Sequence, residues 1–161
     1  MSARLPVAKL FPESASPDGG ARLSKAWLDV LADVPLFADL SRRHLGKVAS
    51  LGRTKRFPAR TSIVTAGTNA DAFYVILDGR ATVRAGSRRI PLAAGDYFGE
   101  MALLDGGVRS ASIVADSEML LMAIPRRGFL KLLESEPKIA ISIMGTLAHR
   151  VRSMQATSSN V

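Results

Sequence analysis

Two helical ends enclosing a long run of short strands predict an α+β protein, and three observations carry that prediction. Between Leu51 and Ile124, short β-prone segments alternate with Gly-, Asn- and Asp-containing turns at near-regular spacing, the pattern of an antiparallel sandwich or barrel. On either side, apolar residues recur at helical spacing behind capping residues and prolines. The chain has 161 residues, 47% of them apolar, which suits one folded domain with a sizeable core rather than a disordered segment.

Taken in order, residues 1–20 hold the stretch ESASPDGG, whose composition predicts a flexible leader ahead of a domain over 21–154. Ser24 is a candidate N-cap for a helix to about Ala32, with Trp27, Leu28 and Leu31 on one face. Val34-Pro35-Leu36-Phe37 breaks it, and Ser41 caps a second helix to about Leu51 carrying Leu45 and Val48, so the helical segment covers 23–51. The strand region covers 52–124. Its β-prone runs are Ile63-Val64, Phe73–Leu77, Ala81–Val83, Arg89–Leu92, Ser112–Val114 and Leu120–Ile124. Asp78-Gly79, lying between two of them, predicts a hairpin.

Pro125 restarts helix at a first-turn position, with Phe129, Leu130 and Leu133 on its apolar side. Glu136-Pro137 breaks that helix and opens a last one to about Met154, so that C-terminal helices cover 125–154 and 155–161 is a flexible tail. In the last helix Ala140, Met144, Leu147, Val151 and Met154 form a stripe at near-heptad period, while Ile139 and Ile143 widen it into a second contact face. The stripe has two readings, a dimer seam or a lid over a ligand. A seam of so few turns is marginal in water, which favours the lid and a monomer.

Composition removes whole classes of chemistry. With no cysteine, disulfides, thiolate metal sites and iron–sulfur ligation are excluded. No run approaches about 18 apolar residues, and the N-terminal MSARLPVAKLF lacks an apolar h-region, so no membrane segment is expected and the expected location is the cytoplasm. The net charge of +8 favours anionic ligands, but its cations are scattered along the chain and specify no groove-reading element, so no nucleic-acid partner is expected. The two histidines, His44 and His149, fall on different helices, and none lies in the strand region. A metal-dependent roll would cluster them there. No G-x-S-x-G, H-E-x-x-H or P-loop pattern occurs, so neither a catalytic site nor a metal or other cofactor is expected.

One stretch does carry binding chemistry: FGEMALLDGGVRSASI, from Phe98 to Ile113. Gly99 lets backbone approach a bulky ligand. A helical turn starting there would offer N–H groups to an anion, and Arg109 adds a forked, permanently charged donor. Glu100 would repel a phosphate, so it makes sense as the acceptor for a hydroxyl elsewhere on the ligand, such as a ribose 2′-OH. Singly, Gly99-Glu100 reads as a turn and Arg109 as a solvated loop charge. Only the pattern in register specifies a site.

That pattern resembles the phosphate-binding cassette of cyclic nucleotide-binding domains, roughly F-G-E-(L/I)-A-L, a variable loop, then P-R-x-A-(S/T)-(V/I). The matching residues are Phe98, Gly99, Glu100, Met101, Ala102 and Leu103, then Arg109, Ser110 and Ala111, with nine residues from Glu100 to Arg109 as in kinase- and channel-type relatives. Val108 stands where the family usually has proline, which implies a less rigid loop, and Arg60 where it often has glycine. The resemblance implies an antiparallel β-roll of jelly-roll type with flanking helices. It further implies that Arg109 and amides around Ala102, Leu103 and Ser110 hold the phosphate, and that Glu100 and the Gly99 amide hold the ribose. Arg150 on the last helix, or failing it Arg152, would reach the base. The implied ligand is cyclic AMP, with cyclic GMP permitted by the Ser110 hydroxyl, and the implied output is movement of the C-terminal helices toward a separate effector protein. The competing class is a transcription regulator of the catabolite activator type. The few residues after Met154 are too short for a helix-turn-helix, so it would have to lack its own DNA-binding element.

Overall fold

The computed structural model describes residues 25–158, and the expected leader and the Ser24 cap lie outside them. Helix α1 (Lys25–Ala32) leads through a 3-10 turn at Pro35–Phe37 into α2 (Arg42–Ala49). Ser41 caps α2 as its side-chain chemistry predicts, Oγ accepting the His44 N–H at 3.2 Å. Eight strands follow: β1 (Arg53–Phe57), β2 (Ser62–Val64), β3 (Ala72–Asp78), β4 (Arg80–Ala85), β5 (Arg88–Ala93), β6 (Tyr97–Phe98), β7 (Ser112–Ala115) and β8 (Met119–Pro125). A four-residue helix α3 (Ala102–Asp105) interrupts them between β6 and β7, and α4 (Arg126–Ser135) and α5 (Pro137–Ser158) close the described chain.

The strands form two antiparallel four-stranded sheets, ordered β1-β8-β3-β6 and β2-β7-β4-β5, a roll that does not close into a barrel. The predicted α+β class and β-roll stand. Two strands escaped the sequence reading. β1, RTKRF, carries three cations because it is an edge strand, where charge blocks unwanted pairing. The other, β6, is only two residues long, pairing with Tyr74 and Val75 of β3. Asp78-Gly79 proves to be a corner rather than a hairpin, since β3 and β4 belong to different sheets. Gly79 has φ +97°, and a Cβ there would stand 2.5 Å from the Glu118 carbonyl oxygen, so only glycine lets the chain cross between sheets at this point. The hairpin of that sheet is β4–β5, in which Ala85 pairs with Arg88 around Gly86-Ser87.

Central β3 explains the architecture. Its residues Ala72–Leu77 are all buried, alternating between two cores. Tyr74 and Ile76 face the inside of the roll with Ile113, Leu121 and Ala123. On the other side Phe73, Val75 and Leu77 pack with Met122 and Ile124 against Trp27, Leu31, Phe37, Leu103, Phe129, Ile139 and Ile143. Each such side chain, fully buried, contributes about 1.5–3 kcal/mol, so the helices are bound to the roll by a continuous apolar layer.

The last helix differs from its prediction in two ways. It continues to Ser158, four residues into the expected tail. It also turns Ile139 and Ile143 to the core, while Met144, Val151 and Met154 of the expected stripe are 60%, 52% and 71% exposed. The two faces have similar apolar content, so periodicity alone does not choose between them; burial against Phe37 and Phe129 does. At the helix junction Pro125 ends β8 with φ −68° and ψ 135°, and α4 starts one residue later. Among the described residues no helix is long and apolar enough to cross a membrane.

Candidate functional site

From β6 the chain enters Gly99 at φ +81°, passes Glu100 and Met101 into α3, and leaves α3 through Gly106 at φ +61°. The loop after it runs back to β7, and the space between holds a cavity of about 480 Å³. Eight predicted residues line it: Phe98, Gly99, Glu100, Met101, Ala102, Arg109, Ser110 and Ala111. Leu103 does not. It is fully buried in the helical core and anchors α3 there. Arg150 lies outside the lining but reaches its edge, Nη1 standing 3.9 Å from Glu100 Oε1. Arg152 forms no ion pair among the described residues.

Sequence reasoning missed the apolar lining, chiefly Val64, Val83 and Ile113 from the strands and Val108 from the loop. The alternation of the strands held a signal for the first three, since inward positions of a roll must meet whatever it encloses. Met101 and Val108 are 45% and 62% exposed, an apolar rim on a site that also holds Glu100 and Arg109.

The Arg109 guanidinium is held in place. Its Nη2 donates to the Ala72 carbonyl at 2.7 Å, and Cζ lies 5.9 Å from the centre of the Tyr74 ring. Tyr74 is in turn stacked on Phe98, centroids 5.1 Å apart. A Cβ on Gly99 would collide with Arg109 Nη1, so the glycine makes room for the arginine as well as for a ligand. Among the described residues Arg109 pairs with no carboxylate, leaving its charge directed to the cavity wall. Glu100 is the counterpart: its side chain is 16% exposed, and Oε2 is buried without a hydrogen bond. Burial holds its carboxyl above the ordinary carboxylate range, and the Arg150 charge offsets that in part.

The loop is less free than its valine suggests. Arg109 N–H donates to Thr68 O at 2.8 Å, Gly67 N–H to Arg109 O at 2.9 Å and Ala70 N–H to Gly107 O at 3.0 Å. These bonds flank Val108 without using its N–H, so the position would accept proline at no cost in hydrogen bonds. The amides of Ala102 and Leu103 donate at 3.2 Å to Gly99 O and Glu100 O, within the turn. Of the three backbone amides expected to donate to the phosphate, only the Ser110 N–H meets no protein acceptor. Among the described residues no three His, Cys, Asp or Glu side chains gather as a metal site would require.

Comparison with known proteins identifies the family. A cyclic nucleotide-gated potassium channel of Rhizobium etli is 36% identical over 121 residues, covering 75% of this chain and 34% of the channel. A cAMP-dependent protein kinase regulatory subunit of Aspergillus niger is 36% identical over 115 residues, 70% of this chain and 27% of the subunit. The chain thus spans about a third or less of the length of these relatives. Among solved structures, cAMP-bound PfPKA-R superposes with a TM-score of 0.59 at 28% identity, over 82% of this chain and 45% of that one. The family described as the cyclic nucleotide-binding domain matches residues 54–136, from β1 through the end of α4 and including the whole cavity. With that match over more than half its length, the chain belongs to the cyclic nucleotide-binding domain family.

Proposed function

We propose that this chain is a regulatory module that binds a cyclic nucleotide, cyclic AMP by preference, and converts occupancy into movement of α4 and α5 without any reaction of its own. One observation carries the reading: across a single cavity stand a guanidinium with no carboxylate partner and a largely buried carboxylate with an unbonded oxygen. A cyclic phosphate and a ribose 2′-OH joined in one rigid ligand supply what each lacks. Arg109 and the Ser110 N–H take the phosphate, Glu100 accepts from the 2′-OH, and the Met101–Val108 rim with Arg150 covers the purine. The kinase regulatory subunits and channel among its relatives support this assignment by their names.

Ser110 keeps a hydroxyl that guanine can use, worth about 0.5–1.5 kcal/mol, so discrimination between the two nucleotides is modest. The module acts as a monomer on a separate effector. The test is calorimetric titration with cyclic AMP and cyclic GMP against a 5′-AMP control. Arg109→Ala should cost roughly 2–5 kcal/mol of binding, and Glu100→Ala about 1.5–3 kcal/mol, both variants remaining folded. Equal affinity in wild type and Arg109→Ala would remove the basis of the reading.

A further inference from the structure

The described residues contain only two buried side-chain polar atoms without a hydrogen bond, Glu100 Oε2 and Arg126 Nε. They flank the same short helix. Arg126 is the first residue of α4, and its guanidinium lies across the C-terminal end of α3. Nη2 donates to the Leu104 carbonyl at 3.1 Å. The guanidinium also packs on Gly106, where a Cβ would stand 2.9–3.2 Å from its atoms. Meanwhile the Arg126 N–H donates to Asp71 O at 2.8 Å, and the next carbonyl, Ala72 O, accepts from Arg109 Nη2. Two successive carbonyls at the start of β3 therefore hold the head of α4 and the cavity arginine side by side.

A four-residue helix cannot sustain itself, because nucleation costs more than so few bonds return. Its last carbonyls have no intrahelical partner, and its C-terminal end favours a cation. Arg126 meets both needs from a neighbouring element, and its planar fork makes the contact directional. We infer that Arg126 is a positioning residue for the site. It fixes α3, hence the Gly99–Ala102 side of the cavity, and makes α3 and the head of α4 move as one body. Resting on the nucleotide reading above, this assigns the connection between pocket and helices to one named side chain.

The test combines calorimetry with hydrogen exchange on wild type, Arg126→Ala and Arg126→Lys, each with and without cyclic AMP. Arg126→Ala should weaken binding on the order of tenfold and abolish ligand-induced slowing of exchange across 126–135, while slowing around Gly99–Arg109 persists. Arg126→Lys retains charge and a donor for Leu104 O, and should recover part of both. In ligand-free protein, Arg126→Ala should speed exchange at Asp105 and Gly106 while β3 is unchanged. Wild-type affinity with intact slowing across α4 in Arg126→Ala would overturn the inference, and so would weakened binding with α4 still responding. Failure of wild type to bind either nucleotide would refute the nucleotide reading instead. The ligand-free arm would then decide the clamp by itself, unchanged exchange at Asp105 and Gly106 overturning it. If Arg126→Ala does not fold, Arg126→Lys supplies the same comparisons.

Discussion

Burial of Glu100 has a consequence for pH that can be signed. Its folded-state pKa is raised, chiefly by desolvation, so the folded protein binds this proton more tightly than the unfolded chain does. The associated stability is present at low pH and is lost as pH rises through the raised value. Binding runs the other way, because a ribose hydroxyl needs the ionised carboxylate as its acceptor. Nucleotide affinity should therefore fall as pH is lowered through the raised Glu100 pKa, beginning at a higher pH than an ordinary carboxylate would give. Glu100→Gln should bind more weakly at neutral pH, with a flatter pH profile and a higher melting temperature. Titrations across pH 4–8 on both proteins would check this, and matching pH profiles would exclude Glu100 as the titrating acceptor. Gly99 was readable at this scale from its place before the carboxylate. Its second role, admitting the Arg109 guanidinium, was not, because the two residues are ten apart and meet only in the folded loop.

At the scale of elements, α5 is a helix of two halves. Ile139 and Ile143 are buried with Phe37 and Phe129, and Thr146 Oγ1 donates to Asp39 Oδ2 at 2.6 Å. Residues 148–157 are exposed throughout, with Arg150 the side chain that meets the site. Truncation after Gly145 keeps both isoleucine anchors, so the roll should stay folded with an unchanged far-ultraviolet spectrum apart from lost helix. It removes Arg150 and the cover proposed for the purine, and should weaken cyclic AMP binding about tenfold, equivalent to about 1.4 kcal/mol. In the intact chain, exchange across 148–157 should be fast when empty and slow on adding nucleotide. Unchanged affinity after truncation, with unchanged exchange, would show that this half of α5 takes no part in binding.

At the scale of the molecule, α1, α2, α4 and α5 share one core with the outward face of the β3–β8 sheet. Trp27 is fully buried, donates its indole N–H to Ala49 O at 3.2 Å, and belongs to the cluster that includes Phe73 and Ile124 of the sheet and Ile139 of α5. Lys47 of α2 is ion-paired with Glu136 at the α4–α5 break, which holds that carboxyl below the usual range through the Lys47 hydrogen bond. A shared core predicts one cooperative transition. Trp27→Ala should cost about 3–5 kcal/mol and lower the melting temperature by roughly 10 °C, with helix and strand signals still lost together. Calorimetry beside circular dichroism would check it. Helices melting separately from an unaffected roll would refute the shared core.

What the sequence determined by itself was what depends on neighbours in the chain: the Ser41 cap, the proline breaks, the alternation of short strands and turns, and the register of Gly99, Glu100 and Arg109. These follow from backbone sterics and from side chains acting within a few residues of themselves. Only the tertiary structure decided that RTKRF is an edge strand, that Asp78-Gly79 turns a corner between sheets, and which face of α5 is buried. It also decided that Arg126 lies on the end of α3 and that Arg150 meets Glu100. In each of these the local pattern is compatible with more than one outcome. The choice falls to contacts between residues far apart in sequence, where burial, crowding at a glycine and an unpaired charge outweigh propensity.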